Sequence, residues 1–346
     1  MIFNNKRLWK TDPSTADQCR RNYVDGIQSY IDRKNSEAQS IRFHRMTLKQ
    51  LEEKRMEYRR MLGIDTILME PCPCVEKTYL AEDDVSYIYR LTVYITKEIP
   101  MYALLLFPKK EGPMPLVVAQ HGGGGTPELC SDYAGENNYN HMVQRALQRG
   151  AAVIAPQLLL WSLDETGTMR KHDIPFDRYK VDNNLKRFNT SITALEIAGI
   201  IRCIDYACDL PEIDEEKIGM VGLSYGGYFT LHTMAAETRI KAGYAAGFFN
   251  NRDIYDWIDW CYKGSALKFQ DAEVAALCIP RKLCIAVGKQ DTVFDYHSAI
   301  PEGEKAKEYY AAFGYPENIR FSVWEGAHTM EDSDDGYEFL FNAFSD

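Results

Sequence analysis

The chain has 346 residues, 45% of them hydrophobic, which is enough to bury one large core and to carry an extension. Acidic residues outnumber basic ones by 50 to 40, a formal net charge of -10, so a nucleic-acid partner is not expected. No 18 consecutive residues are apolar and no leader-like segment opens the chain, which favours a cytoplasmic protein without membrane contact.

The first 65 residues are charged and show helical spacing. Thr47 and Gln50 are placed as a capping box, and apolar residues then recur at helical intervals until Gly63. We predict an N-terminal helical extension over residues 1–65. Its purpose is open, since the helices could cover an edge of the larger domain or form the contact of a homo-oligomer.

Beyond residue 65 the spacing becomes strand-like. Residues 85–96 alternate apolar and polar side chains, and residues 102–107 add a second strand, so the sheet should begin antiparallel. From Pro115 onward, short apolar runs alternate with helical segments, which is typical of βαβ units. We predict one α/β domain over residues 66–346, with a mostly parallel central sheet and helices on both faces. The predicted strands are 116–119, 151–155, 218–221, 242–246, 283–287 and 320–324, and the predicted helices are 138–148, 192–208, 225–236, 302–313 and 337–344.

Two long irregular stretches interrupt this domain, near residues 158–190 and 248–270. Both are rich in aromatic residues, and insertions of this length in a compact domain often form lids or binding loops. We predict that they form small cap insertions.

The nine cysteines follow no disulfide or zinc spacing and are predicted to be reduced thiols. Cys72 and Cys74 form a close pair that could ligate a metal, but no second pair accompanies them. We predict neither a metal nor a cofactor.

The sharpest motif runs from Gly222 to Gly227 and has Ser224 at its centre. It follows the predicted strand 218–221 and opens a predicted helix. A serine flanked by glycines at such a turn is lifted above the carboxyl edge of the sheet, at a helix N-terminus that favours negative charge. Ser224 is the predicted nucleophile.

A serine nucleophile needs a base, and the base needs an orienting acid. His328 follows the last predicted strand and Asp291 follows strand 283–287, so both should lie at the same sheet edge as Ser224. We predict that these three residues form a catalytic triad.

Three neighbours compete for these roles. Asp295 could be the acid in place of Asp291 if the loop were longer, whereas Glu325 is expected to point away from His328. His297 is interpreted as a helix-start or surface residue.

A glycine run, Gly122 to Gly125, follows His121 and the predicted strand 116–119. Such a run can turn its amides toward an oxyanion, and it lacks the spacing of a phosphate-binding loop. One donor is predicted to be the amide of Gly122 or Gly123, and the other the amide of Tyr225.

The segments Leu210 to Asp214 and Gly222 to Gly227 resemble the α/β-hydrolase superfamily, in particular its dienelactone hydrolase and acetyl xylan esterase branch. They are also similar to the catalytic domain of prolyl oligopeptidases. This resemblance implies a Ser-Asp-His triad and cofactor-free hydrolysis of carboxylic esters, and it supports Ser224, Asp291 and His328.

The predicted function is therefore a serine hydrolase that cleaves a small carboxylic ester through an acyl-enzyme. An acetylated carbohydrate is the favoured substrate on resemblance alone. A prolyl oligopeptidase-like peptidase and a non-catalytic binding protein on a hydrolase scaffold are the alternatives. Aromatic residues of the two insertions could form a wall against the substrate, or the cap's own small core. The residues predicted to bind substrate are Trp161, Phe248, Trp257 and Trp260.

Overall fold

A computed structural model describes residues 13–41, 47–69, 71, 73–133, 137–161 and 176–345. The strands in this part of the chain are β1 Cys74–Glu82, β2 Ser86–Thr96, β3 Ile99–Pro108, β4 Met114–Gln120, β5 Ala152–Pro156, β6 Ile213–Leu223, β7 Ile240–Ala246, β8 Lys282–Gly288 and β9 Ile319–Trp324. The helices are α1 Pro13–Ile41, α2 Leu48–Leu62, α3 Pro127–Cys130, α4 Met142–Gln148, α5 Arg178–Lys186, α6 Ile192–Cys208, α7 Tyr225–Ala236, α8 Asp271–Ala276, α9 Tyr296–Ala312 and α10 Asp335–Phe341.

The nine strands form one sheet in the order β1-β2-β3-β5-β4-β6-β7-β8-β9. β1, β2 and β3 pair antiparallel with one another, and β3 pairs antiparallel with β5. From β5 to β9 every pairing is parallel. The carboxyl ends of these parallel strands therefore meet along one edge, with β6 near the middle.

Helices cover the sheet on both faces, because β4, β5, β7 and β8 are buried along most of their length and need cover on two sides. One buried cluster joins the sheet to α2, α6, α7, α8 and α9. The other joins it to α4 and α10. This arrangement is the predicted α/β class with a mostly parallel central sheet.

α2 begins and ends where the sequence predicts, and its side chains bind it to the domain. The predicted capping box is present, since Thr47 and Gln50 cap each other's backbone amides, and Gly63 ends the helix at φ 87°. Arg55 donates to the carbonyl oxygen of Leu277 at 2.7 Å, which ties α2 to the end of α8. By contrast, nearly the whole length of α1 is exposed. Among the described helices, none is long and apolar enough to cross a bilayer.

Several elements differ from the prediction: α3 and α8 were not predicted, and α4 begins at Met142, not at residue 138. β1 is exposed along most of its length, so its sequence carries no apolar alternation to reveal it. α9 begins six residues before the predicted start, because Asp295 caps it and Pro301 is accommodated inside the helix. α5 lies within the predicted insertion 158–190 and is capped by Asp177. Residues 162–175 of that insertion, and Cys72 of the close cysteine pair, lie outside the described residues.

Candidate active site

Ser224 lies on the tight turn between β6 and α7. Its backbone has φ 61° and ψ -121°, a conformation that costs a non-glycine residue on the order of 1–3 kcal/mol. The surroundings hold it there, since the Ser224 amide donates to the carbonyl oxygen of Ala246 at 2.8 Å. The side chain is half-buried at the carboxyl edge of the sheet. The structure thus presents the predicted nucleophile on a strained strand-to-helix turn.

The glycines around Ser224 are required by close backbone approach. A Cβ on Gly222 would lie 2.3 Å from the carbonyl carbon of Gly226, and one on Gly226 would lie 1.9 Å from the carbonyl oxygen of Gln120. A Cβ on Gly227 would lie 2.4 Å from the carbonyl oxygen of Ala246. The motif is therefore explained by packing of α7 against the strands on either side.

Asp291 and His328 are brought together from the ends of β8 and β9. His328 Nδ1 lies 2.7 Å from Asp291 Oδ2, and the two side chains are 21% and 2% exposed. The other oxygen, Oδ1, accepts hydrogen bonds from the amides of Val293 and Phe294 at 2.7 and 3.0 Å. Because both oxygens accept, the carboxylate fixes the imidazole with its proton on Nδ1, leaving Nε2 as a base.

The backbone and ring of His328 are held near the serine turn. Its carbonyl oxygen accepts a hydrogen bond from Asn138 Nδ2 at 3.0 Å, and its ring stacks on Phe294 at 5.9 Å between centroids. A Cβ on Gly247 would lie 3.5 Å from His328 Cε1. Gly247 directly follows Ala246, the acceptor for the Ser224 amide, so the imidazole lies over the strand end that adjoins the serine.

The competing residues are engaged elsewhere. Asp295 caps α9 and its Oδ1 lies 2.8 Å from Nδ1 of His297, and both side chains are exposed. Glu325 forms an ion pair with Lys289 on the surface. Geometry therefore favours Asp291 as the partner of His328.

The structure distinguishes between the two glycine amides that the sequence left open as oxyanion donors. The Gly122 amide donates to the hydroxyl of Tyr139 at 2.8 Å, so it is already used. No described residue accepts a hydrogen bond from the Gly123 amide. The Tyr225 amide is at the first position of α7, where an N–H has no partner within the helix. Gly123 and Tyr225 are thus the available pair. Tyr139 carried no recognisable sequence signal.

His121 fixes the start of this loop. It is fully buried, its Nε2 accepts a hydrogen bond from the Leu158 amide at 2.9 Å, and its Nδ1 lies 2.9 Å from the Gly122 carbonyl oxygen. Burial lowers the pKa of His121 to about 4, so the ring is neutral near pH 7. The neutral ring accepts a hydrogen bond through one nitrogen and donates one through the other. It thereby connects the loop after β4 to the loop after β5.

The aromatic residues predicted to bind substrate fall into two groups. Trp161 lies directly over Gly123, where an added Cβ would be 2.4 Å from the indole, and Trp257 stacks on Tyr225 at 5.6 Å. Both are partly exposed beside the serine turn. Phe248 is fully buried and Trp260 is 5% exposed, so these two support the wall from behind and offer substrate little surface.

A buried ionic cluster, which sequence spacing did not indicate, supports the same wall. Arg178 binds both oxygens of Glu196 at 2.8 and 2.9 Å and Asp259 Oδ2 at 2.8 Å, with every side chain at most 6% exposed. The hydroxyl of Tyr225 donates to Asp259 at 3.0 Å. Burial alone lowers the pKa of Arg178, but the two carboxylates outweigh it and raise that pKa above its ordinary value. Residues from α5, α6, α7 and the 248–270 insertion are thereby locked together.

Comparison with family models finds the prolyl oligopeptidase family over residues 187–275, a segment that contains the Ser224 turn. No curated protein sequence matches the chain.

Solved structures of esterases are similar over most of the chain. A Bacteroides fragilis protein assigned as an acetyl xylan esterase is 14% identical with a TM-score of 0.64, covering 89% of this chain and 88% of its own. Glucuronoyl esterase from Solibacter usitatus is 14% identical with a TM-score of 0.64, covering 86% and 92%. Acetyl xylan esterase 1 from Thermoanaerobacterium sp. JW/SL YS485 is 16% identical with a TM-score of 0.59, covering 87% and 100%.

These comparisons bear on the fold of the chain. Together with the strand order and the serine turn after β6, they show that the chain has the α/β-hydrolase fold.

Proposed function

We propose that the protein is a serine carboxylic-ester hydrolase that acts through Ser224, His328 and Asp291. The observation that carries the proposal is the pairing of His328 Nδ1 with Asp291 at 2.7 Å, beside a serine on a strained strand-to-helix turn. An isolated surface histidine would not have a nearly buried carboxylate whose other oxygen is held by two amides.

In this proposal, Nε2 of His328 removes the proton of the Ser224 hydroxyl as the oxygen attacks the ester carbonyl. The Nδ1–H bond to Asp291 keeps the ring in the required tautomer and stabilises the imidazolium that forms. The oxyanion accepts hydrogen bonds from the amides of Gly123 and Tyr225. His328 then returns the proton to the alcohol that leaves, and water repeats the attack on the acyl-enzyme.

An acetylated carbohydrate is the substrate that we favour. Two of the similar solved structures are acetyl xylan esterases by name, and Trp161 and Trp257 offer partly exposed indoles of the kind that pack against sugar rings. The proposal fails if acetylated sugars are not deacetylated while esters with longer acyl chains turn over.

The activity itself is tested by measuring ester hydrolysis for the native protein and Ser224→Ala. The variant should lose nearly all turnover and keep its melting temperature, because a hydroxyl is removed from a half-buried site without creating a large cavity. Retention of full turnover in Ser224→Ala would exclude this serine as the nucleophile.

A peptidase is the second candidate, favoured by the match of residues 187–275 to the prolyl oligopeptidase family. The same triad would then attack an amide. Chromogenic amides with proline before the scissile bond, assayed beside esters, distinguish the two functions. A non-catalytic protein on this scaffold would cleave neither substrate class and would resist phosphonylation at Ser224.

A further inference from the structure

The buried ionic cluster of Arg178, Glu196 and Asp259 contacts both sides of the candidate oxyanion hole. It lies between Tyr225, whose amide is one available donor, and the segment after β5, which adjoins the glycine loop. Every side chain in the cluster is at most 6% exposed, so water and salt screen its contacts little. Intact buried ion clusters are often no more stabilising than apolar side chains of the same volume. A role in holding other groups in position explains this one better than stability does.

On its first side, the cluster binds the side chain of Tyr225. The tyrosine hydroxyl donates to Asp259 Oδ2 at 3.0 Å, and the guanidinium of Arg178 lies 5.6 Å from the centre of the ring. Burial and the carboxylate of Asp259 raise the pKa of Tyr225, so the hydroxyl keeps its proton and donates. Tyr225 is the first residue of α7 and is 1% exposed. The anchor at its hydroxyl therefore restrains the residue whose amide faces the reacting serine.

On its other side, the cluster binds the backbone of Leu159, in the segment after β5. The Leu159 amide donates to Glu196 Oε1 at 2.8 Å, and the Leu159 carbonyl oxygen accepts from Arg178 Nη1 at 2.8 Å. Two residues further along, the carbonyl oxygen of Trp161 accepts a hydrogen bond from the Gly124 amide at 3.1 Å. The cluster is thus connected to the glycine loop through one short stretch of backbone.

Trp161 links the two sides. Its indole lies over Gly123, where an added Cβ would be 2.4 Å away, and it packs edge to face on the Tyr225 ring at 5.4 Å between centroids. A shift of the segment after β5 would therefore disturb both available donors. An oxyanion donor must lie about 2.7–3.1 Å from the oxygen that it stabilises, and a misplacement of about 1 Å can cost about 10² in rate. Small displacements in the cluster therefore matter for the reaction.

We propose that the three residues of the buried ionic cluster are positioning residues for the reaction, which hold the amides of Gly123 and Tyr225 at the spacing that a tetrahedral intermediate requires. Because the cluster is buried, it acts through Tyr225 and the segment after β5, not on the substrate. The expected effect on rate rests on the proposed esterase function. The order that the cluster gives to the glycine loop is independent of that function.

Tyr225→Phe tests the first side, because it removes the hydrogen bond to Asp259 and leaves the backbone amide in place. We expect kcat for p-nitrophenyl acetate to fall about tenfold, less than the 10²–10³ that loss of a whole donor costs, with KM changed less than about twofold. The affinity for trifluoroacetone, whose adduct with serine carries the oxyanion, should fall in proportion to kcat/KM. Tyr228→Phe is the matched control. It removes a buried hydroxyl one turn further along α7, bonded to the Tyr262 hydroxyl at 2.5 Å, and should keep kcat within about twofold.

Glu196→Gln tests the other side without requiring activity. Both oxygens of Glu196 accept hydrogen bonds, whereas glutamine has one oxygen, so its NH₂ group must face either Arg178 or the Leu159 amide, and both of these are donors. The segment after β5 should then be held less firmly. Hydrogen exchange of the Gly124 amide, followed by NMR, should become at least about tenfold faster than in the native protein, whereas Tyr228→Phe should leave it unchanged.

The positioning role is overturned if Tyr225→Phe loses no more kcat than Tyr228→Phe, if its affinity for trifluoroacetone stays native, or if Glu196→Gln leaves the exchange of the Gly124 amide unchanged. If Glu196→Gln does not fold, the comparison of the two tyrosine variants decides. A native protein that hydrolyses neither esters nor amides would refute the proposed function instead. The exchange experiment would then decide alone whether the cluster orders the glycine loop.

Discussion

Substitution of Asp291 by asparagine keeps the size of the side chain but removes its charge and the oxygen that orients His328. Asp291 Oδ1 accepts from the amides of Val293 and Phe294, and only an oxygen can take that position. Asparagine must therefore place its NH₂ group where Oδ2 now faces His328. Nδ1 of the imidazole then has to accept, the proton moves to Nε2, and the base is lost.

The same exchange in a serine protease triad lowers kcat by about 10⁴, which corresponds to about 5 kcal/mol of transition-state stabilisation. We expect a loss of that order in kcat for hydrolysis of p-nitrophenyl acetate, with KM little changed. The hydrogen-bond count is preserved, so the melting temperature should fall only slightly.

Asp295→Asn is the matched control. Asp295 is exposed and caps α9, and asparagine caps a helix as well as aspartate does, so kcat should change less than about threefold. Asp291 is not the orienting acid if Asp291→Asn retains more than a tenth of native kcat, or if Asp295→Asn is the more damaging change.

Three further predictions concern stability. Gly226→Ala should lower the melting temperature strongly or prevent folding, because its Cβ would lie 1.9 Å from the carbonyl oxygen of Gln120; an unchanged thermal melt would contradict this packing. Arg178→Met leaves two buried carboxylates unpaired and should cost about 3–5 kcal/mol in urea unfolding at pH 7, and a cost below about 1 kcal/mol would mean that solvent reaches them. Burial raises the pKa of Glu302 to about 7 from 4.5 in the unfolded chain. Between these two pH values the native state binds one more proton than the unfolded state, so the free energy of unfolding falls as the pH rises from about 4.5 to about 7. Glu302→Gln should therefore be more stable than native by up to roughly 3 kcal/mol above pH 7 and equal below pH 4, and parallel pH profiles would disprove it.

Elements with strong patterns were predictable from the sequence. The bounds of α6 and α7 agree with the predicted 192–208 and 225–236, because each follows a clear strand or cap and ends at a change of spacing. The meeting of Asp291 with His328 was also predictable, since the carboxyl ends of neighbouring parallel strands share one edge.

Contacts that do not follow from the shared edge of the sheet were not predictable. Arg178, Glu196 and Asp259 are single charged residues with no common spacing, and only the packing of the insertion on α6 brings them together. The choice of Gly123 over Gly122 likewise depends on Tyr139, which reaches the loop from another segment. The spacing of apolar residues describes one helix or strand at a time, so it cannot predict side-chain contacts between different elements.

A crystal structure of the protein after reaction with a small fluorophosphonate would show whether Ser224 is the nucleophile and which amides hold the oxyanion. We expect a phosphonyl group on Ser224 Oγ, with its oxygen about 2.7–3.1 Å from the amides of Gly123 and Tyr225 and the imidazole of His328 beside it. An unmodified Ser224, or an adduct whose oxygen is bound by neither amide, would contradict it.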